Sequence, residues 1–382
     1  MTSTLDVLVV NSWASGSHLA WASGWQASSA HRIGFVTHEG RAWRWRMRGG
    51  AITLAEDTLL RISEHGAPDL IVVTDMIDLA AYLAMIRRTA PDIAVAMYMH
   101  ENQLGYPRQP GESLDQGLAW TTWRNLVLAD TIWFNSEFHR RQLFEALPVF
   151  LGGVADHSHL HLIESVKAKS EVIPVGVDLS HFAARPDSAS LDSSAPLILS
   201  NHRWHHDKNV GAILRALLRL ADRDVAFRVA VVGDDQGGER DALMPLIERL
   251  GNRVERTGYQ SRGDYLELLS RSDVVVSAAH NEYFGIAVVE AIAAGAVPVL
   301  PDALAYPEVI PPLFHSAALF QPGDLTNALE FAVNSLPALR IEMTGLTESM
   351  SRFGWNRVAP MLDAAAARLA TSIARSHPIP GV

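Results

Sequence analysis

Short, uninterrupted apolar runs recur along the chain, each followed by a polar or glycine-bearing loop and then a longer amphipathic stretch. Residues 5–10, 68–74, 92–98 and 129–134 read as strands buried on both faces, because their apolar positions are continuous rather than alternating. Residues 17–22 and 79–89 read as helices between them. The alternation of strand and helix predicts an α/β fold with a doubly wound parallel sheet. The pattern restarts after residues 183–196, a stretch rich in Ala, Ser, Asp and Pro that reads as a linker. Strands are expected at 197–200, 227–232, 254–259, 274–278 and 296–300. Helices are expected up to residue 221, at 263–270 and at 288–294. From about residue 334 the chain is helical and it ends in a Pro-rich tail. The expected organisation is a first domain over 1–172, a linker over 173–196 and a second domain over 197–349. Helices over about 350–382 are expected to pack back on the first domain.

One segment departs from this rhythm. Residues 41–48 read RAWRWRMR, with four arginines and two tryptophans. Trp43, Trp45 and Met47 alternate with Arg44, Arg46 and Arg48, which predicts a strand with one apolar and one basic face. The arginines suit phosphate contacts and the tryptophans suit stacking on a base. An amphipathic strand with core tryptophans fits the same pattern.

The loops after the strands carry the candidate chemistry. Residues 281–295 place Glu282 just before a helix and Glu290 within it, and Gly295 reads as its stop. Amides near Phe284, Gly285 and Ile286 are expected to be free at the helix start and suited to an anion. Two carboxylates around free amides suit a nucleotide sugar, with hydroxyls at two places and phosphates between. An ordinary crossover with two solvated glutamates fits equally. Arg203 and Lys208 sit in the first loop of the second domain, where fixed cations would stabilise a departing diphosphate. The plainer alternative is that they pair with Asp207 or Glu282. Gly233, Asp234, Tyr259 and Gln260 lie where a nucleotide base would rest.

In the first half, residues 11–16 form a small-residue loop before a helix. Gly16 and Ser17 would bring amides to a phosphate, and His18 is either a donor there or a packing residue. His100, Glu101, Asn102 and Gln103 follow a buried strand directly. Four polar side chains in a row there are costly to bury without partners, which favours a site.

Composition narrows the function classes. The chain has 382 residues, no cysteine and a formal net charge of −10. Disulfides, thiolate metal sites and cysteine nucleophiles are excluded. The acidic balance argues against a general nucleic-acid footprint, although a local basic patch would serve one RNA. No apolar run reaches membrane-spanning length, residues 1–6 show no basic leader, and a cytoplasmic protein without a membrane partner is expected. His205, His206 and Asp207 are too tightly clustered for a chelating loop, and Asp222-Arg223-Asp224 falls where turn chemistry explains it, so no metal and no cofactor are expected.

Glu282-x7-Glu290 with residues 291–298 resembles the corresponding block of retaining GT-B glycosyltransferases of family 4, and residues 173–182 resemble their interdomain motif. Trp43-x-Trp45-Arg46-Met47-Arg48, His100-Glu101-Asn102-Gln103-Leu104-x-Tyr106-Pro107, His202-Arg203-Trp204-x-x-Asp207-Lys208 and Tyr306-Pro307-Glu308 are more specific. Across nearly the whole chain they resemble the tRNA-queuosine α-mannosyltransferase family. The resemblance implies two Rossmann-like domains facing across a cleft. It implies transfer of mannose from GDP-mannose to queuosine in tRNA for aspartate. Glu290 would then hold the ribose, Glu282 the hexose, and Arg203 with Lys208 the diphosphate. The loop of Gly16, Ser17 and His18 would face the cleft, and His100 would stand beside the transferred sugar. Arg44, Arg46, Arg48, Glu101, Asn102 and Gln103 would meet the acceptor. Two other readings remain: the same chemistry on a small-molecule or glycan acceptor, and a non-catalytic RNA- or sugar-nucleotide-binding protein.

Overall fold

The structure, a computed structural model, describes residues 4–107, 111–182, 195–235 and 237–376. Most of the expected linker, residues 183–194, and the Pro-rich tail after residue 376 lie outside the described residues. The chain divides into two compact units, residues 1–176 with 355–382, and residues 177–354.

The first unit runs β1 (Asp6–Ala14), α1 (Gly16–Ser28), β2 (Arg32–Glu39), α2 (Trp43–His65), β3 (Leu70–Thr74), α3 (Leu79–Ile86), β4 (Ala94–Met99), α4 (Gln116–Leu128), β5 (Thr131–Phe134), α5 (Glu137–Gly152), α6 (Ile163–Ala168) and β6 (Ser170–Val172). Its parallel sheet has the order β2-β1-β3-β4-β5-β6. All of β3 and all of β4 are buried, as helices on both faces require. Chain order reverses between β1 and β3, and in open sheets of this type ligands bind at such a switch point, outside the carboxyl ends of the strands.

The second unit runs β7 (Leu197–Ser200), α7 (Val210–Asp222), β8 (Arg228–Val232), α8 (Arg240–Leu250), β9 (Val254–Gly258), α9 (Arg262–Arg271), β10 (Val274–Val276), α10 (Ile286–Ala293), β11 (Val297–Pro301) and β12 (Leu319–Phe320), with further short helical pieces before residue 354. Its sheet has the order β12-β11-β10-β7-β8-β9, so the switch point lies between β7 and β10. Those are the two strands whose loops hold Arg203 with Lys208 and Glu282.

The Trp–Arg segment is not a strand. It opens the helix α2, which continues for 23 residues. Met47, Ala51, Leu54, Ala55, Thr58 and Ile62 make its buried stripe, at spacings of three and four. The eight-residue alternation is local, and the longer apolar period decides the element. Trp43 is half-buried beside a small cluster of Met47, Met76 and Leu118, while Trp45 points to solvent.

A long helix, Trp355–Ser376, completes the first unit and packs on α1 and β4. Its first residue lies against Gly24 and Gly176, where a Cβ at either glycine would fall inside the Trp355 ring. Asp363 accepts from Trp25 Nε1 at 2.8 Å, Ser29 Oγ at 2.6 Å and the Ala30 amide at 2.8 Å. One carboxylate thereby satisfies three donors at the end of α1.

Candidate functional site

In the second unit the loop after β7 turns through residues 206–208, and the loop after β10 leads into α10. Lys208 Nζ joins them. It donates to the Asn281 carbonyl at 2.8 Å and to Glu282 Oε2 at 3.1 Å, and lies 3.3 Å from Asp207 Oδ2. Asp207 is fully buried; its Oδ1 lies 2.6 Å from His205 Nδ1, and Arg203 approaches Oδ2 at 3.8 Å. The Asp207 carbonyl accepts from the His280 amide at 2.7 Å, so backbone as well as charge ties the loops together. Two cations face two carboxylates, which makes burial affordable in Coulomb terms.

The carboxyls respond to this setting. Burial pushes Glu282 up, but the charge and hydrogen bond of Lys208, with the Phe284 amide, outweigh it, and the group sits below its ordinary range. Burial acts the same way on Asp207 and is overcome by the His205 hydrogen bond and the charges of Lys208 and Arg203. Both are therefore carboxylates at neutral pH. His202 is lowered to about 4, by burial first and then by Lys208, and stays neutral.

Glu282 Oε1 also accepts from the Phe284 amide at 3.4 Å. Of the amides expected to be free here, that one is engaged. Gly285 caps α10 at φ 98°, a left-handed conformation that favours glycine, so the next amides open the helix without intrahelical partners. Glu290, one turn further in, is nearly buried. Arg262 Nη1 contacts its Oε1 at 2.8 Å and Tyr265 Oη its Oε2 at 3.1 Å. Gly233 has no room for a side chain, since a Cβ there would strike the His202 carbonyl. Tyr259 stands 77% exposed at the end of β9, open to stack on a ring. Gln260 instead turns back onto the carbonyls of residues 257–259.

The first unit builds something different at the carboxyl ends of β1, β3 and β4. His100, just after β4, is buried and stacks on His18 of α1 with ring centroids 3.9 Å apart. The edge of Trp21 and the ring of Tyr98 enclose it. Burial, with His18 and His139 nearby, lowers the His100 pKa well below the ordinary value. Its backbone amide donates to Asp75 Oδ1 at 3.0 Å. Asp75 is pushed up by burial and by neighbouring Glu101, against hydrogen bonds from backbone amides. Gln103 Nε2 donates to Glu101 at 3.2 Å, and Asn102 Oδ1 accepts from Gly105 N at 2.6 Å. Gly16 is left-handed at φ 50° and Ser17 is exposed at the start of α1.

The three arginines of α2 do not form one stripe. Arg44 and Arg48, one turn apart, are about half exposed and meet Glu112 at 3.3 Å and Asp115 at 2.7 Å. Arg46 lies on another face, near His38, with its Nε buried and without a hydrogen-bond partner.

Residues 6–177 match the family model for the N-terminal part of tRNA-queuosine alpha-mannosyltransferase, and residues 184–343 match that for glycosyl transferases group 1. The chain is similar to the tRNA-queuosine alpha-mannosyltransferase family through its first unit. It is a glycosyltransferase of the GT-B fold. It is 29% identical over 280 residues to tRNA-queuosine alpha-mannosyltransferase of Drosophila melanogaster, covering 71% of this chain and 72% of the fly protein. It is 28% identical over 203 residues to GDP-mannose:cellobiosyl-diphosphopolyprenol alpha-mannosyltransferase of Xanthomonas oryzae pv. oryzae, spanning 50% of each chain. Among solved structures, sucrose-phosphate synthase from Thermosynechococcus elongatus superposes with a TM-score of 0.73 at 15% identity. That match covers 96% of this chain and 100% of the other. The catalytic domain of starch synthase IV from Arabidopsis thaliana, bound to ADP and acarbose, gives 0.71 at 13% identity, covering 97% and 100%. These two show the fold alone.

Set against the family motifs, Trp204 of His202-Arg203-Trp204 is a core residue, buried with no hydrogen bond from its Nε1. Tyr306 of Tyr306-Pro307-Glu308 is also fully buried and shares a 2.6 Å hydrogen bond with Ser277 Oγ, beneath Glu282. Asp75, Arg262, Tyr265 and Asn201 were not singled out in the sequence. Asp75 ends a strand run and was a visible signal of the kind used for His100. Arg262 and Tyr265 lie at a helix start 28 and 25 residues from Glu290, and nothing local marks them.

Proposed function

We propose that the chain transfers mannose from GDP-mannose to the cyclopentene diol of queuosine in tRNA for aspartate, with retention of configuration and without a metal. The observation that carries this reading is the Arg203, Asp207, Lys208 and Glu282 cluster beside the opening amides of α10. The donor's diphosphate lies against Arg203, Lys208 and those amides, which supply the positive charge that a metal would otherwise bring. As the sugar–phosphate bond breaks, negative charge grows on the departing phosphate, and the fixed cations favour that state over the ground state. The same phosphate oxygen accepts the proton of the attacking hydroxyl on the same face of the sugar. Glu282 orients the hexose and Glu290 the ribose. In the first unit, His100 and the loop of Gly16, Ser17 and His18 serve the transferred sugar. Glu101, Asn102, Gln103, Arg44, Arg46 and Arg48 serve the acceptor.

The match to the family model and the printed activities of the fly and Xanthomonas relatives support mannose and GDP-mannose. One observation favours a second reading, a small or glycan acceptor. Arg44 and Arg48 already have acidic partners, and the net charge is −10. The deciding experiment offers GDP-mannose, UDP-glucose and ADP-glucose with tRNA that carries or lacks queuosine, followed by nucleoside mass analysis. A hexose increment on queuosine from GDP-mannose alone is expected. Donor turnover without any tRNA product moves the assignment to the small acceptor.

A further inference from the structure

Asn201 follows β7 directly and is nine-tenths buried. Its Nδ2 donates to the Tyr265 phenol oxygen at 3.0 Å and to the Ala287 carbonyl, in the first turn of α10, at 2.9 Å. Both amide hydrogens are thereby used. A flipped amide would set Oδ1 against the Ala287 carbonyl, acceptor against acceptor, so the network fixes the orientation. Tyr265 accepts from Asn201, and its own proton goes to Glu290 Oε2 at 3.1 Å. The chain of donation therefore runs in one direction, from amide to phenol to carboxylate. At its start, Asn201 Oδ1 is left buried and without a partner. An unsatisfied buried acceptor of this kind is expensive, on the order of 1–3 kcal/mol, and calls for a donor.

We infer that Asn201 Oδ1 is a ligand contact, and that Asn201, Tyr265 and Glu290 together read a pair of hydroxyl donors on the bound nucleotide. The Asn201 amide, through Nδ2, and the Glu290 carboxylate both bond the one phenol oxygen, so the amide and the carboxylate belong to one cluster. A vicinal diol, such as that of a ribose, would present two donors to such a cluster. Tyr265 is a positioning residue: accepting from Asn201, it gives its one proton to Glu290 Oε2 and so holds the carboxylate rotamer. Arg262 Nη1 holds the other carboxylate oxygen of Glu290 at 2.8 Å. The consequence is selectivity for ribonucleotides over their deoxy forms, supplied by groups outside the Glu282-x7-Glu290 block.

This inference rests on the reading that the second unit binds a nucleotide sugar, and the test separates the two. Calorimetry measures binding of GDP and 2′,3′-dideoxy-GDP to the full chain and to Asn201→Ala and Tyr265→Phe, each checked for folding by circular dichroism. UDP and its dideoxy form replace them if UDP binds more tightly. The wild-type chain is expected to bind the ribonucleotide at least tenfold more tightly than the dideoxy form. Asn201→Ala is expected to weaken the ribonucleotide about tenfold and leave the dideoxy form unchanged. Tyr265→Phe is expected to act in the same direction and keeps the test open if Asn201→Ala does not fold. Equal weakening of both ligands, or no weakening, overturns the diol brace while leaving the nucleotide site. Binding of no nucleoside diphosphate by the wild-type chain overturns both.

Discussion

The two units solve the same architectural problem with opposite electrostatics. Each is a six-stranded parallel sheet with a cluster of polar side chains at the carboxyl ends of its central strands. In the second unit, Lys208 and Arg203 face Asp207 and Glu282, and the carboxyls are held ionised. In the first, His100 and His139 are buried and neutral, and Asp75 is pushed toward its protonated form by burial and Glu101. One site keeps compensated charge in place; the other keeps polar groups uncharged. Charge that develops during a reaction is best stabilised by the former, while the latter suits a neutral, hydroxyl-bearing group.

The largest expected effect comes from removing the cation that joins the second-unit loops. Lys208→Ala is expected to lower transfer at least about 100-fold, the scale of one lost transition-state donor. It also leaves Glu282 partly buried without its counter-ion, so the second unit should melt earlier. Assays of transfer and calorimetric melts check both; near-normal turnover would break the contrast between the units. Glu282→Gln should cost roughly 100-fold in turnover with less loss of stability, because the amide is isosteric and uncharged.

Acidification should separate the units by a smaller amount. A histidine kept neutral in the fold binds fewer protons than in the unfolded chain, so stability is lost as pH falls below the ordinary value near 6.5. For His202, lowered to about 4, and His139, lowered to about 3, this amounts to roughly 2 kcal/mol each by pH 5. Asp207 and Glu282 act in the same direction below their ordinary carboxylate range, since the unfolded forms take up protons first. Asp75 acts oppositely: its raised pKa means the fold holds a proton that the unfolded chain releases. His100 acts as His139 does, so hydrogen exchange should show both units loosening between pH 7 and 5, and below pH 5 only the second unit should lose carboxylate–cation pairs as well. Equal loss in both units below pH 5 would remove the electrostatic distinction.

The smallest effect concerns α2. Arg44→Gln and Arg48→Gln should change stability by no more than about 0.5 kcal/mol, being exposed pairs. If tRNA is the acceptor, each should weaken tRNA binding and flatten its dependence on log salt by about one unit. An unchanged slope would support the small acceptor.

Strand runs such as residues 70–74 and 274–276 were legible because a strand covered on both faces must be apolar throughout. Glu282 and Glu290 were legible because a loop and a helix start are local. The segment at residues 41–48 was misread because eight residues hold only two helical turns, and the period that decides α2 appears only by Ile62. The polar run that begins at His100 was visible at the end of an apolar strand, but the stacking of His100 on His18 across 82 positions was not.

By itself, then, the sequence determined the alternation of elements, the two doubly wound sheets and the polar loops at their carboxyl ends, since all of these follow from short-range periodicity and turn chemistry. Only the tertiary structure decided the partners. Lys208 reaches Glu282 over 74 residues, and Arg262 and Tyr265 reach Glu290 from another helix. Asn201 is turned so that one acceptor is left over. Such pairings depend on which strands become neighbours at the switch points, and a parallel sheet brings them together through crossovers too long for any local pattern to encode.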